Sequence, residues 1–220
     1  MFWDWEFWFS LATIILSVVT AATAVIAIRQ TKKQVEQGNR QHLFEIRVEN
    51  YLIAIGLIQL FRNCRRHWKD EKRDVPFPAL DLLFGWMTNN TYLEEITGVI
   101  NQTLQHPAQK EFLKKLENLR EVATKIDFIF DNDEAKVLGK FIYTYQELLF
   151  SMYQYQIMWN RMLECAKQFQ YTEEEAGQAV GEERIRKDLW ENFDKADALF
   201  ETIEKDKIEE RIQEQIKINK

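Results

Sequence analysis

The feature that most constrains this chain is an apolar run near its beginning. From Phe7 to Ile28, 22 consecutive residues carry no ionisable side chain. As an α-helix such a run is about 33 Å long, which matches the ~30 Å hydrocarbon core of a bilayer. The run therefore predicts one transmembrane helix over residues 7–28, preceded by a short acidic and aromatic cap over residues 1–6.

The residues on either side of the run predict that it is retained and set its direction. A cleaved signal peptide begins with a basic segment, whereas this chain begins with Asp4 and Glu6. Arg29, Lys32 and Lys33 follow directly after the run, and basic residues stay on the cytoplasmic side of a membrane. We therefore expect a single-pass protein of the cell inner membrane, with its N-terminus outside and the remaining residues in the cytoplasm.

Four hydroxyl residues inside the run share one face of the predicted helix, and we call this face, extended back to Glu6 and on to Ala24, the membrane seam. Its members recur at intervals of three and four residues: Glu6, Ser10, Thr13, Ser17, Thr20 and Ala24. Small and hydroxyl residues along one face allow membrane helices to pack closely, so we expect a homo-oligomer. Two interpretations stay open, a tightly packed dimer or trimer anchor and a pore. In a pore of roughly four or more helices, the seam would line the lumen and a ring of Glu6 would favour cations.

The rest of the chain predicts an all-α fold. Gly and Pro are scarce, at 7 and 3 residues, and the alternating strands and hairpin turns of sheet proteins are missing. We expect the membrane helix to continue to about Lys72, then a short helix before Thr88 and another that Thr91 caps. A helix from Pro107 to about Phe130 and a core helix over residues 134–170 follow. Residues 29–171 would form a cytosolic helical sensor and oligomerisation domain.

The C-terminal segment carries the whole charge imbalance of the chain. Residues 172–220 contain 15 acids and 9 bases, whereas the preceding residues contain 20 of each. Thr172 predicts the start of a single long charged helix with one apolar stripe. We expect its later part to form a coiled coil or an arm.

No catalytic or metal site is predicted. The sequence lacks the GxxxxGK[ST], GxGxxG and GxSxG motifs of phosphate, dinucleotide and nucleophile sites. His42, His67 and His106 have no HExxH spacing, and Cys64 and Cys165 form no CxxC pattern. We therefore expect reduced thiols, no cofactor and no enzymatic activity.

One cluster of cationic residues predicts a ligand site. Its five members lie on one face of the predicted first helix, and we call them the basic strip: Arg62, Arg65, Arg66, Lys69 and Arg73. Arginine binds phosphate in a bidentate manner, and aromatic side chains can stack on bases, so a soluble nucleotide or oligonucleotide is one hypothesis. The aromatic candidates are Trp68, Tyr143, Tyr145, Tyr153 and Tyr155. The alternative is that the strip forms ion pairs with the acidic C-terminal segment and that the tyrosines pack in the core.

The layout of the chain resembles a known family. A short acidic and aromatic N-terminus, one span with a polar stripe and a compact cytosolic helical domain resemble the channel subunit of Hailong-type antiphage defence systems. The run Asn39–Glu45, followed by Arg47, Glu49 and Tyr51, is similar to juxtamembrane segments of many bacterial one-span proteins. The resemblance implies a tetrameric channel, held shut by a DNA oligomer from a partner nucleotidyltransferase, that opens on infection and depolarises the cell.

A second class of function fits the same sequence. A membrane-tethered helical adaptor without a pore would also need one span, a self-associating seam and a charged C-terminal helix. Such a protein would recruit partners through that helix. The two classes differ in whether the assembled protein conducts ions.

Overall fold

The computed structural model describes residues 3–74, 76–77, 79–102, 107–130 and 132–218. The elements are α1 (Trp3–Lys69), α2 (Leu80–Met87), a 3-10 helix (Glu94–Asn101), α3 (Pro107–Phe130), α4 (Asp133–Phe169), α5 (Glu173–Val180), α6 (Glu182–Lys205) and α7 (Ile208–Ile218). The described residues contain helices and no strand, which confirms the all-α fold.

The chain divides into two compact units, Met1–Ile46 and Arg47–Lys220. In the first unit, every side chain from Trp5 to Leu43 is exposed. The apolar part of α1 is long enough to cross a membrane, judged by its length and composition. The coarse prediction of an N-terminal helix that could span a bilayer is thus supported.

The core of the second unit is built around α4. This helix packs against α3 on one side and α6 on another, because its apolar residues recur at intervals of three and four over its whole length. Phe61 of α1 is fully buried and lies 5.6 Å from the ring of Phe141, 6.4 Å from Tyr145 and 5.4 Å from Phe200. These aromatic rings join the C-terminal part of α1 to α4 and α6.

Several predicted helix boundaries are confirmed. α3 begins at Pro107, and α4 spans almost the predicted range. The side chain of Thr172 accepts a hydrogen bond from the N–H of Glu175, which forms the predicted kind of start for α5. The first helix ends at Lys69 instead of about Lys72.

The predicted cap at Thr91 is wrong. The side-chain oxygen of Asn90 instead accepts hydrogen bonds from the N–H groups of Tyr92, at 3.1 Å, and Leu93, at 2.8 Å. Asn, like Thr, satisfies free backbone donors at a turn. The turn therefore begins one residue before the predicted cap and leads into a 3-10 helix.

The C-terminal segment differs from its prediction, because it forms three helices instead of one. Gly181 takes a left-handed conformation with φ of 71° between α5 and α6. Lys207, with φ of 52°, separates α6 from α7. Ile208 and Ile212 of α7 are buried, so this part packs on the domain and is not a free arm.

Some predicted features lie outside the described residues. They are the first residues of the N-terminal cap, His106 before α3 and Asp131 before α4. The side chain of Asn132, next to the last of these, caps α4 by accepting a hydrogen bond of 2.7 Å from the N–H of Ala135.

Candidate functional site: the basic strip and the membrane seam

Most of the basic strip forms ion pairs with acidic residues of α6 and α7. The pairs are Arg62 with Glu204 and Glu209, Arg65 with Asp197 and Glu201, Lys69 with Asp197, and Arg73 with Asp194. The Lys69–Asp197 and Arg73–Asp194 pairs each have an N–O distance of 2.7 Å. Arg66 is exposed and has no carboxylate partner among the described residues.

The acidic partners themselves form a regular series, which we call the acidic ladder. Its members are Asp194, Asp197, Glu201, Glu204 and Glu209. The first four recur at intervals of three and four, so they lie on one face of α6. The ladder meets the strip in reverse chain order, so α6 runs antiparallel to this part of α1.

An aromatic layer lies beneath the ion pairs. The guanidinium groups of Arg62 and Arg65 lie over the ring of Phe200, at 5.7 and 5.2 Å from its centroid. Arg73 lies 5.1 Å from the ring centroid of Trp190. These cation–π contacts hold the guanidinium groups next to the carboxylates that they bind.

The charges of Arg65 and Asp197 support each other. Burial acts to raise the pKa of Asp197, but hydrogen bonds from Arg65 and Lys69 outweigh it and bring this pKa below its ordinary value. The hydrogen bond to Asp197 raises the pKa of Arg65. Both groups are therefore charged at neutral pH, and their pairing neutralises the centre of the basic strip.

These contacts bear on the predicted phosphate site. Four cations of the strip pair with the five carboxylates of the ladder, so a phosphate ligand that binds these four would have to displace the ladder first. In the structure, four members of the strip form ion pairs with the acidic C-terminal segment, as the alternative interpretation predicted: Arg62, Arg65, Lys69 and Arg73.

Most of the aromatic side chains considered for base stacking pack in the core. Trp68, Tyr145, Tyr153 and Tyr155 are all less than 5% exposed. Tyr145 donates a hydrogen bond of 2.6 Å to the carbonyl of Met87. Among the four tyrosines, Tyr143 alone is exposed, with 43% of its surface accessible.

The membrane seam lies on an unpartnered part of α1. Within one chain its side chains are exposed, and three of its hydroxyl groups donate to carbonyls of the same helix. The hydroxyl of Thr13 donates to the carbonyl of Phe9, that of Ser17 to the carbonyl of Thr13, and that of Thr20 to the carbonyl of Leu16. Each hydrogen bond is 2.8 Å long. Because these donors are satisfied within α1, the seam can face another helix without water between them.

A buried polar network at the start of α6 escaped the sequence interpretation. Glu182 is 5% exposed and accepts a hydrogen bond of 2.7 Å from the hydroxyl of Tyr155. The Tyr155 hydroxyl in turn accepts a hydrogen bond of 2.9 Å from the backbone N–H of Phe77. The guanidinium of Arg186 lies 3.4 Å from the Glu182 carboxylate. Part of this network could have been predicted from the sequence. Glu182 follows Gly181, a residue type that ends helices, and stands four residues before Arg186, the spacing of an ion pair on one helix face.

Beyond the clusters above, the described residues form a groove but no metal centre. Among the residues that the structure describes, no group of three or more His, Cys, Asp and Glu side chains could hold a metal ion. A groove of about 690 Å³ lies between α3, α4 and α6, with Gly139 and Leu199 in its lining and Lys140 and Lys195 beside them. Its lining includes no histidine or cysteine.

No protein-family model matches this chain, and comparisons with curated proteins and with solved structures found no match.

Proposed function

We propose that this chain is a single-span membrane protein that self-associates through the membrane seam and holds its helical domain at the cytoplasmic face. The exposure of α1 from Trp5 to Leu43 is the observation that carries the proposal. Lipid covers the apolar side chains of such a helix, whereas a polar seam is best covered by another seam. The basic residues after the span support the cytoplasmic location of the domain.

Tethering without conduction is the first candidate. The hydroxyls of Thr13, Ser17 and Thr20 bond within their own helix, so packed seams need no water-filled lumen. In this proposal the assembled helices gather several copies of the domain at one place on the membrane.

A cation channel is the second candidate, which one observation favours. Glu6 lies on the same face as Ser10, Thr13 and Ser17, and a ring of acidic side chains at the mouth of a polar pore attracts cations. Without a pore, the charged side chain of Glu6 would instead turn towards the membrane–water interface. Gating by a nucleotide or a DNA oligomer, as in antiphage effectors, would further require the acidic ladder to leave the basic strip.

The self-association is tested by energy transfer between donor- and acceptor-labelled full chains in lipid vesicles. Replacing the seam residues Ser10, Thr13, Ser17 and Thr20 by leucine should lower the transfer several-fold. The control replaces Ile15, Val18, Val19 and Val25, on the other faces, by leucine and should keep the wild-type transfer. Equal transfer in the two variants would remove the seam from the proposal.

Conduction separates the two candidates. Wild-type chains are reconstituted in planar bilayers, and the cation current is compared with that of Glu6→Gln. A current that falls in Glu6→Gln supports the channel. Association without any current supports the tether, and a current that Glu6→Gln leaves unchanged contradicts the role given to Glu6.

A further inference from the structure

Residues 29–44 of α1 follow the apolar run and stay helical. They lie within the first unit, and their side chains are exposed up to Leu43. Most helices in proteins are stabilised by packing of one face, and within one chain this segment of α1 has no such packing. Gly38 weakens it further, by about 1 kcal/mol relative to alanine, and no neighbouring atom lies within 4 Å of a Cβ placed there.

The charges of this segment are confined to one side. Continuing the three- and four-residue intervals of the membrane seam leads to Thr31, Gln34, Gly38 and Gln41, none of which is charged. In heptad terms these are the a and d positions, which face a partner helix in a coiled coil.

The flanking e and g positions hold no Lys, Arg, Asp or Glu either. They are occupied by Ile28, Gln30, Val35, Gln37, His42 and Phe44. All charged residues between 29 and 44 stand at the outer b, c and f positions: Arg29, Lys32, Lys33, Glu36 and Arg40. The uncharged face therefore spans the a, d, e and g positions and is broader than the narrow a/d seam of a two-stranded coiled coil.

We propose that residues 29–44 of several copies pack in parallel as a cytoplasmic stalk that continues the membrane seam. The proposal rests on the self-association proposed above, which supplies the partner: other copies of this chain. Spans inserted in the same direction bring their following segments together in parallel and at high local concentration. Ile28 and Val35, which are 69% and 55% exposed in one chain, become covered beside the seam.

The polar character of this face fits identical partners. The side chain of Gln34 carries both donors and acceptors, so copies of this residue can bond to each other across the stalk. The amide of Gln41 donates to Glu45 of the same helix at 3.0 Å and keeps its oxygen as an acceptor. Gly38 lets backbones approach closely between these two layers. A polar layer of this kind fixes the register of parallel helices at some expense of stability.

Cysteine cross-linking tests the stalk in the full chain. Single cysteines are placed at Ser17 in the span, at Gln34 on the stalk face and at Asn39 on its outer side, in a Cys64→Ala/Cys165→Ala background. Membranes are treated with a mild oxidant, and covalent dimers are measured by gel. We expect dimers with Ser17→Cys and Gln34→Cys, and at least five-fold fewer with Asn39→Cys.

The outcomes separate this inference from the proposed self-association. Dimers with Ser17→Cys alone would overturn the stalk and leave association in the membrane intact. Dimers with neither Ser17→Cys nor Gln34→Cys would overturn both. Equal yields with Gln34→Cys and Asn39→Cys would show that the segment has no preferred face, which also overturns the stalk.

A charge test uses the same Cys64→Ala/Cys165→Ala background, with a single label at residue 29, and a matched pair of substitutions. Gln34→Glu places a carboxylate inside the stalk, whereas Asn39→Asp makes the same amide-to-carboxylate change outside it. Energy transfer between labels at residue 29 should fall at least two-fold in Gln34→Glu at pH 7. It should stay at the wild-type level in Asn39→Asp. Equal effects of the two substitutions would contradict the assigned face.

Discussion

Arg65 on α1 holds the carboxylate of Asp197 on α6 in a bidentate ion pair, with its Nη2 atom 3.1 Å from Oδ2. The same carboxylate binds Lys69. One residue of the acidic ladder thus joins two residues of the basic strip, and the rings of Phe200 and Phe193 lie in the same interface.

Removing the charge of Asp197 should destabilise the second unit. Asp197→Asn leaves Arg65 and Lys69 without their shared carboxylate, and we expect a loss of about 1–3 kcal/mol in the free energy of unfolding. Urea unfolding at pH 7 measures it. Asp188→Asn, an exposed acid on the same helix, is the control and should change the free energy by less than about 0.5 kcal/mol.

The contribution of Asp197 should depend on pH in one direction. Since its pKa is lowered in the folded state, its stabilisation is present above the unfolded value of about 3.9 and is lost as the pH falls through the folded value. The difference in unfolding free energy between wild type and Asp197→Asn should therefore shrink below about pH 4. A difference that stays constant between pH 7 and pH 3 would contradict this account.

The buried network of Glu182 and Tyr155 should be sensitive to loss of the hydroxyl. Tyr155→Phe leaves the carboxylate and the N–H of Phe77 without their shared partner, so we expect a loss of about 2–3 kcal/mol. Tyr143→Phe removes an exposed hydroxyl and keeps the ring against Arg120, and it should be nearly neutral. Thermal unfolding of both variants compares them, and equal transitions would show that the network adds nothing.

Gly139 should not tolerate a side chain. A Cβ at this position would lie 2.9 Å from the carbonyl oxygen of Ala123, a backbone atom of α3 that cannot move freely. Gly139→Ala should therefore destabilise by about 1–3 kcal/mol through overpacking, although alanine favours helices. Gly98→Ala, where nothing lies within 4 Å of the new Cβ, should not destabilise. If the Gly139→Ala protein were as stable as Gly98→Ala, the backbones of α3 and α4 would have to lie further apart at this position than the 2.9 Å approach implies.

The phosphate hypothesis makes a prediction about competition. Because the acidic ladder occupies the strip, the wild-type chain should bind a fluorescent single-stranded oligonucleotide weakly. Asp197→Asn/Glu201→Gln should bind it more tightly, with an affinity that falls steeply as salt rises. Unchanged binding in this variant, or a flat salt dependence, would exclude the strip as a nucleic-acid site.

Local signals were sufficient for much of the fold. The periodicity of α4, the proline at the start of α3 and the Thr172–Glu175 cap are all readable in the sequence and appear in the structure. The break at Lys207 was not readable, because neither a glycine nor a proline marks it. Ile208 and Ile212, which follow the break directly, are buried in the core, and such tertiary packing is not visible in the local sequence.

The candidate site was less predictable than the fold. Helical spacing placed Arg62, Arg65 and Lys69 on one face, but spacing within a helix does not say what that face meets. Their partners stand more than a hundred residues later in the chain, and only packing brings them together. The same holds for Tyr155, whose partner Glu182 belongs to another helix.

Counting the subunits of the wild-type chain in a membrane tests the central claim most directly. Full chains carrying one fluorophore each are reconstituted in supported bilayers at low density, and the bleaching steps of single spots are counted. Self-association through the membrane seam predicts spots with two or more steps that persist on dilution. Single-step spots at every density would show that the protein is a monomer in the membrane and would contradict the account.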